Sequence, residues 1–251
     1  MKTIAIIQAR TSSSRLPGKV LLPLMGVPMI IYQLSRIRKC RYLDEIIVAT
    51  STDESDDELS SILEKENYKV FRGKLNDVLG RFSQCIKREQ TNAIVRLTGD
   101  CPLTDPLLVD EIVYAFHQGQ WDYLANTIDE NNLTVPDGFD VEVFTKELLD
   151  RATTESKLAH EREHVTLWFK TPNANAKWAH FCHERKRRYY RVTVDRLVDY
   201  TVVSRIVRAI HSNKSDYGVD DVVDFLDKNP RIAEMNLSIP RNEGLQLNLQ
   251  K

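Results

Sequence analysis

Three cations and a run of hydroxyls share one short stretch of this sequence. In IIQARTSSSRLPGK, Ile6 to Lys19, an apolar run stops at Gln8. Arg10, Arg15 and Lys19 follow, with Thr11, Ser12, Ser13 and Ser14 between the first two cations. Guanidinium, ammonium and hydroxyl donors on a loop that leaves a strand suit a phosphate, and the Pro17-Gly18 turn would aim Lys19. The stretch matches neither the Walker A pattern G-x-x-x-x-G-K-[ST] nor the dinucleotide pattern G-x-G-x-x-G. Taken alone, it could also be a solvated loop that happens to be basic. A second stretch, TGDCPLTDP, adds Asp100 and Asp105. Cations and hydroxyls on one loop and carboxylates on another describe a place for a metal-bound polyphosphate.

The elements that must carry these loops follow from periodicity. TIAIIQA, EIIVATS, KVF and AIVRLTG are runs that read as strands. Helical spacing falls between them over Met29–Lys39, Ser55–Glu66 and Val78–Lys87, and LLVDEIVYAF follows the fourth strand. This βαβα rhythm predicts an α/β fold, a mostly parallel sheet with helices on both faces. Ligands of such sheets sit beyond the carboxyl ends of the strands, where RTSSSRLPGK, TSTDESDD, RGKLND and TGDCPLTDP fall. After His117 the rhythm breaks. WDYLAN, DVEVF and YYRVTV read as strands, and Lys146–Thr154, Leu158–Phe169, Val198–His211 and Asp220–Asp227 as helices. The tail from Asn229 has no periodicity. One domain over residues 1–251 is expected, with an elaboration over residues 126–188.

Composition narrows the classes. The 251 residues carry 35 basic and 36 acidic side chains, a formal charge of -1. Nucleic-acid binding through general basicity is therefore not expected, and any anion site must be a local concentration of charge. Cys40, Cys85, Cys101 and Cys182 are scattered, with no C-x-x-C pair, and read as reduced thiols. No apolar stretch approaches the roughly 20 residues that cross a bilayer, and MKTIAIIQAR does not read as a signal peptide. A cytoplasmic protein with no membrane association is expected.

An ordered series of motifs carries a resemblance. QARTSSSRLPGKVLLPLMGVPMI, IIVATSTDESDDEL, FRGKLNDVLGRF, VRLTGDCPLTDP, PDGFDVEVF, EREHVT and RVTVD resemble the SpsF-like cytidylyltransferases of bacterial surface-polysaccharide synthesis. These are related to the enzymes that activate sialic acids and Kdo. The series runs from Lys2 to about Asp227. The resemblance implies a Rossmann-like nucleotidyltransferase fold and transfer of CMP from CTP to an acidic sugar, with Mg²⁺ and release of pyrophosphate. It implies that Arg10, Ser13, Arg15 and Lys19 hold the triphosphate, with Ala9 and Thr98 completing the nucleotide set. It implies Asp100 and Asp195 as metal ligands, and Arg15, Lys19 and Asp100 as the catalytic group. One departure stands out: the late motif usually continues T-x-E-D, whereas this chain reads VDRLVDY.

That chemistry has a physical logic. CTP and an acidic sugar repel, by roughly 1 kcal/mol in water for unit charges about 4 Å apart and about 4 at an effective dielectric near 20. Cations must offset this, and no nucleophilic side chain is required. RGKLND would lie near the base, with Arg72 and Asp77 as candidates, although capping of a helix by Asn76 or Asp77 explains that loop nearly as well. PDGFDVEVF offers Asp137, Asp140 and Glu142; the resemblance implies sugar binding by Asp140 and Glu142, against a plain turn and edge strand. Arg191 is the candidate for the sugar carboxylate.

HEREH, His160 to His164, also fits the H-E-x-x-H pattern of zinc peptidases, with Glu161 as base and Glu184 downstream as a possible third ligand. Within the resemblance His164 faces the sugar or a subunit contact; a surface His pair is the plainer reading. ERKRRYYR, Glu184 to Arg191, could suggest nucleic acid, but a solvated turn into a strand fits the net charge better. CMP transfer to another acceptor, such as a phosphonate, and a catalytically inactive nucleotide-binding protein are the remaining alternatives. Trp121, Phe139, Phe144, Trp168 and Phe169 crowd the elaboration, which suggests an interface and a twofold homodimer.

Overall fold

A computed structural model describes residues 2–184, 189–212, 214 and 216–241. The basic run of ERKRRYYR, residues 185–188, lies outside the described residues. Strands β1 (Thr3–Gln8), β4 (Glu45–Ser51), β5 (Lys69–Gly73), β6 (Ala93–Thr98), β7 (Tyr123–Ala125), β8 (Glu142–Thr145) and β9 (Trp178–His180) form one sheet in the order β5-β4-β1-β6-β8-β7-β9. β8 is antiparallel to both neighbours, and every other pairing is parallel. A small hairpin of β2 (Pro23–Leu24) and β3 (Val27–Pro28) stands apart. The expected mostly parallel sheet is present. Its cause is visible in β1, where Ile4 and Ile6 point into one core and Ala5 and Ile7 into the other, all fully buried.

Helices cover both faces. α1 (Met29–Ile37), α2 (Asp57–Lys65), α4 (Pro106–Gln118), α7 (Leu197–His211) and α8 (Val219–Lys228) supply one core, capped by the short α9 (Pro230–Ala233). α3 (Val78–Cys85) and α5 (Lys146–Glu155) supply the other, with Trp168 and Phe169. The strand direction brings the ends of β1, β4, β5 and β6 to one edge. β8 runs the other way, so it delivers its first residue, Glu142, opposite Arg96 near that same edge. Among the described residues no helix is long and apolar enough to cross a membrane.

Four expectations need correcting. YYRVTV is not a strand: Arg191 makes one isolated bridge to Asp137, and the amides of Val192 and Val194 go to the carbonyls of Asp137 and Asp100. Residues 191–194 are all buried, and burial does not require pairing in the sheet. Leu158–Phe169 is not one helix. α6 covers only Ala159–Glu163, and Val165 takes φ +53°, a left-handed conformation that ends the run. The tail holds the short helix α9. Finally, Phe139, Phe144, Trp168 and Phe169 are at most 3% exposed, packed within the chain, so of the five aromatics only Trp121, 37% exposed, is left to argue for an interface.

Candidate active site

The loop after β1 is held at its start by a buried carboxylate. Asp56, fully buried, accepts from the Thr11 amide (2.7 Å) and hydroxyl (2.8 Å) and from the Ser51 amide (3.1 Å). Burial would raise its pKa, but these donors outweigh it and hold the carboxyl below the usual range. The Gly18 amide returns to the Thr11 carbonyl (2.8 Å), and Gly18 itself turns the chain at φ +69°. Lys19 therefore enters a short 3₁₀ turn, Lys19–Leu21, pointing inward and only 7% exposed.

The Lys19 ammonium joins two carboxylates from distant parts of the chain. Nζ lies 2.8 Å from Asp100 Oδ2, just beyond β6, and 2.9 Å from Asp195 Oδ1, just before α7. Asp195 also receives Arg15 Nη2 at 2.6 Å and Arg191 Nη2 at 2.8 Å. For Asp100, burial alone would raise the pKa; Lys19 outweighs it and holds the carboxyl well below the usual range. For Lys19, burial pulls the other way, and the two carboxylates keep its pKa raised. Both groups are charged at neutral pH.

Asp199 organises this cluster from beneath. Fully buried, it accepts from the Asp195 amide (3.0 Å), the Arg196 amide (2.9 Å), Arg191 Nε (3.0 Å) and Asn236 Nδ2 (2.8 Å). It is the second Asp of VDRLVDY, the stretch that departs from the usual late motif. Arg191 completes the scaffold through Nη1, 2.6 Å from Asp137 Oδ2.

Two clefts meet at this cluster. The first, about 290 Å³, is lined by Ala9, Arg10, Ser13, Arg15, Lys19, Thr98 and Asp100, along with Arg81 and His164. The second, about 270 Å³, is lined by Asp140, Glu142, His164 and Arg191, along with Arg96, Asp137, Thr166, Lys170 and Arg241. Arg15, Thr98, Asp100, His164 and Asp195 belong to both. A ligand in each cleft would thus meet at the Lys19–Asp100–Asp195 junction.

The second cleft has a built polar wall. Glu142 pairs with Arg96 and accepts from Tyr123 Oη (2.6 Å) and Thr166 Oγ1 (2.8 Å). Burial opposes its charge, but these partners keep its pKa lowered. Asp140 is pushed up by burial, against the pull of Arg241 at 2.5 Å. Burial lowers the pKa of His164, so its imidazole is neutral at pH 7.

Two sequence candidates lie elsewhere. Arg72 donates to the carbonyls of Ser51 (2.8 Å) and Asp53 (3.0 Å) and pairs with Asp57 (2.6 Å). Asp77 caps α3 through the Gly80 amide (3.0 Å) and takes both arms of Arg162 at 2.9 Å. Neither lines a cleft, and capping accounts for Asp77. His160 lines neither cleft, and among the described residues no three His, Cys, Asp or Glu side chains are grouped to hold a metal. A catalytic zinc takes three protein ligands, so the HEREH pair lacks the set a zinc peptidase needs.

Sequence reasoning missed Asp56, Arg81, Arg96, Asp199 and Arg241. Arg96 had a signal, a lone cation inside the apolar strand AIVRLT. Arg241 had none, since it reaches Asp140 from a tail with no pattern.

The chain resembles known proteins along nearly its whole length. The family model described as cytidylyltransferase matches residues 4–236. The spore coat polysaccharide biosynthesis protein SpsF of Bacillus subtilis is 32% identical, over 91% of this chain and 95% of that protein. The 8-amino-3,8-dideoxy-manno-octulosonate cytidylyltransferase of Shewanella frigidimarina is 28% identical, over 67% of this chain and 64% of that protein. The structure of a cytidylyltransferase from Leptospira borgpetersenii superposes with a TM-score of 0.87, at 31% identity over 93% of this chain and 97% of that one. A family match over residues 4–236 and a relative 32% identical along nearly its whole length show that this chain, with its two adjoining clefts at the strand ends, belongs to the cytidylyltransferase family.

Proposed function

We propose that the protein acts in the cytoplasm, transferring CMP from CTP to an acidic sugar of the nonulosonic type with release of pyrophosphate, for the synthesis of a surface polysaccharide. The observation that carries this reading is the Lys19 ammonium between Asp100 and Asp195, at the junction of the two clefts. The first cleft, with its cations and hydroxyls, suits the triphosphate. The second, with its carboxylates, threonines and arginines, suits a hydroxylated and charged acceptor. The relative in Bacillus subtilis is named for polysaccharide synthesis and that in Shewanella frigidimarina for an octulosonate, an acidic sugar.

Mg²⁺ suits the carboxylate pair. Asp100 and Asp195 already share one cation, and Mg²⁺ takes one or two carboxylates and completes its shell with phosphate and water. Bound by Asp100 and Asp195, it would polarise phosphate oxygens and lower the pKa of the acceptor hydroxyl. The chain's own residues do the rest. Arg10 and Arg15 bind the phosphates, and Lys19 offsets the charge that grows on the departing pyrophosphate. Arg191 and Asp199 keep Asp195 aimed at the junction. Glu142, braced by Arg96, and Asp140 receive acceptor hydroxyls.

Pyrophosphate release tests this, with each of four nucleoside triphosphates offered against sialic, legionaminic, pseudaminic and Kdo acceptors and a phosphonate. Release with CTP and an acidic sugar is expected. Release only with the phosphonate, or with no acceptor, overturns the proposal.

A further inference from the structure

Arg81 is a buried cation that, among the described residues, makes no ion pair. It is 3% exposed and lines the first cleft from α3. Its Nη1 donates to the carbonyls of Lys74 (3.0 Å) and Leu75 (3.3 Å), while Nε is buried with no acceptor. Arg96, Arg162, Arg191 and Arg241 each pair with a carboxylate. Among the described residues Arg81 has no such pair. Burial lowers its pKa, and the like charge of Arg10 lowers it further, against the weaker pull of Asp56 and Asp77, neither of which pairs with it. Two cations therefore line one cleft, Arg10 with Glu163 3.9 Å away and Arg81 with no carboxylate of the described residues in ion-pair range.

The guanidinium is held in this state. Two carbonyls fix Nη1, and the stem crosses the end of β5 at Gly73, where a Cβ would stand 3.0 Å from Arg81 Cγ. Keeping an unpaired ion out of water is costly, and a partner that brings negative charge relieves the cost. A nucleobase offers only a dipole. A phosphate offers formal charge, and in the cleft that Arg10 and Arg81 both line it would also offset their repulsion.

We propose that Arg81 is a phosphate-binding residue of the nucleotide site, donating from α3 to an oxyanion of the CTP triphosphate, which the Arg10–Lys19 loop holds by other contacts. This rests on the cytidylyl-transfer reading above. A charge-assisted hydrogen bond of this kind corresponds to about a 10- to 100-fold change in affinity.

Calorimetry and thermal melting of wild type, Arg81→Gln and Arg81→Lys test it, with CTP, inorganic tripolyphosphate and cytidine as probes. Arg81→Gln should weaken CTP and tripolyphosphate binding about 10- to 100-fold. Arg81→Lys should fall between, cytidine binding should not change, and the ligand-free melting midpoint should stay at the wild-type value. Three results overturn the assignment: full CTP affinity in Arg81→Gln, an equal loss for cytidine, or ligand-free midpoints well below wild type in both variants. The last would make Arg81 a structural tie to Lys74 and Leu75. A wild-type protein that binds no CTP overturns the cytidylyl-transfer reading itself, and this inference with it.

Discussion

Lys19 and Asp195 are 176 residues apart in the chain and 2.9 Å apart in the fold. Their contact joins the loop after β1 to the segment that leads into α7. It also places one buried ammonium within reach of both clefts. The site depends on this closure, and the first test acts on it.

Lys19→Ala and Arg15→Ala should each cut turnover by about 100- to 1000-fold, the loss typical of one electrostatic donor. Lys19→Ala should also lower the melting temperature, because it leaves Asp100 and Asp195 close together with less positive charge. Added Mg²⁺ should restore part of that stability. Pyrophosphate assays and thermal melts check both effects, and unchanged turnover in both variants contradicts the role given to this loop.

Metal dependence separates the carboxylates from the HEREH pair. Asp100→Asn and Asp195→Asn should abolish Mg²⁺-dependent turnover, while His160→Ala should leave it intact. Stoichiometric zinc in wild-type protein, lost on changing His160, would reverse this assignment.

Acid sensitivity should begin near neutrality. Burial depresses the pKa of His164 in the folded chain, and His117 is depressed for the same reason, against an unfolded value of about 6.5. Above that value both states hold neutral imidazole, and nothing is lost. As pH falls below it the unfolded chain takes up protons first, so stability declines until the folded pKa is passed. His164→Gln should flatten part of the fall in denaturant midpoint between pH 7 and pH 5. An unchanged slope counts against a buried neutral imidazole.

Gly138→Ala should damage the second cleft. Gly138 has φ +110°, and a Cβ there would stand 2.5 Å from the Thr193 amide nitrogen. Strain and overpacking together should cost at least about 2 kcal/mol and raise the acceptor KM. Wild-type stability by chemical denaturation would show that the loop relaxes freely.

Assembly is a separate question. The resemblance implies a twofold dimer, and Trp121 and Trp178, 37% and 47% exposed, lie where β7 and β9 form one margin of the sheet. Light scattering should give twice the mass of one chain, and Trp178→Glu should shift it toward the monomer. A fully active monomer at micromolar concentration would rule the dimer out.

The sequence by itself determined the parallel half of the fold and the loops that carry the chemistry. Ile- and Val-rich strands with helical runs between them have one economical arrangement, and that arrangement sends RTSSSRLPGK and TGDCPLTDP to the same edge. Local periodicity could not go further. It read YYRVTV as a strand because alternating polar and apolar residues look the same whether the amides pair with a neighbouring strand or with loop carbonyls. It read Leu158–Phe169 as one helix because a left-handed turn at Val165 leaves no mark in composition. Only the tertiary structure decided which charges meet. It tied Arg72 to Asp57 and Asp77 to Arg162, brought Asp199 under Asp195, and left Arg81 buried and unpaired among the described residues. Ion pairing acts over a few ångströms in space and is indifferent to distance along the chain, so no spacing rule encodes it.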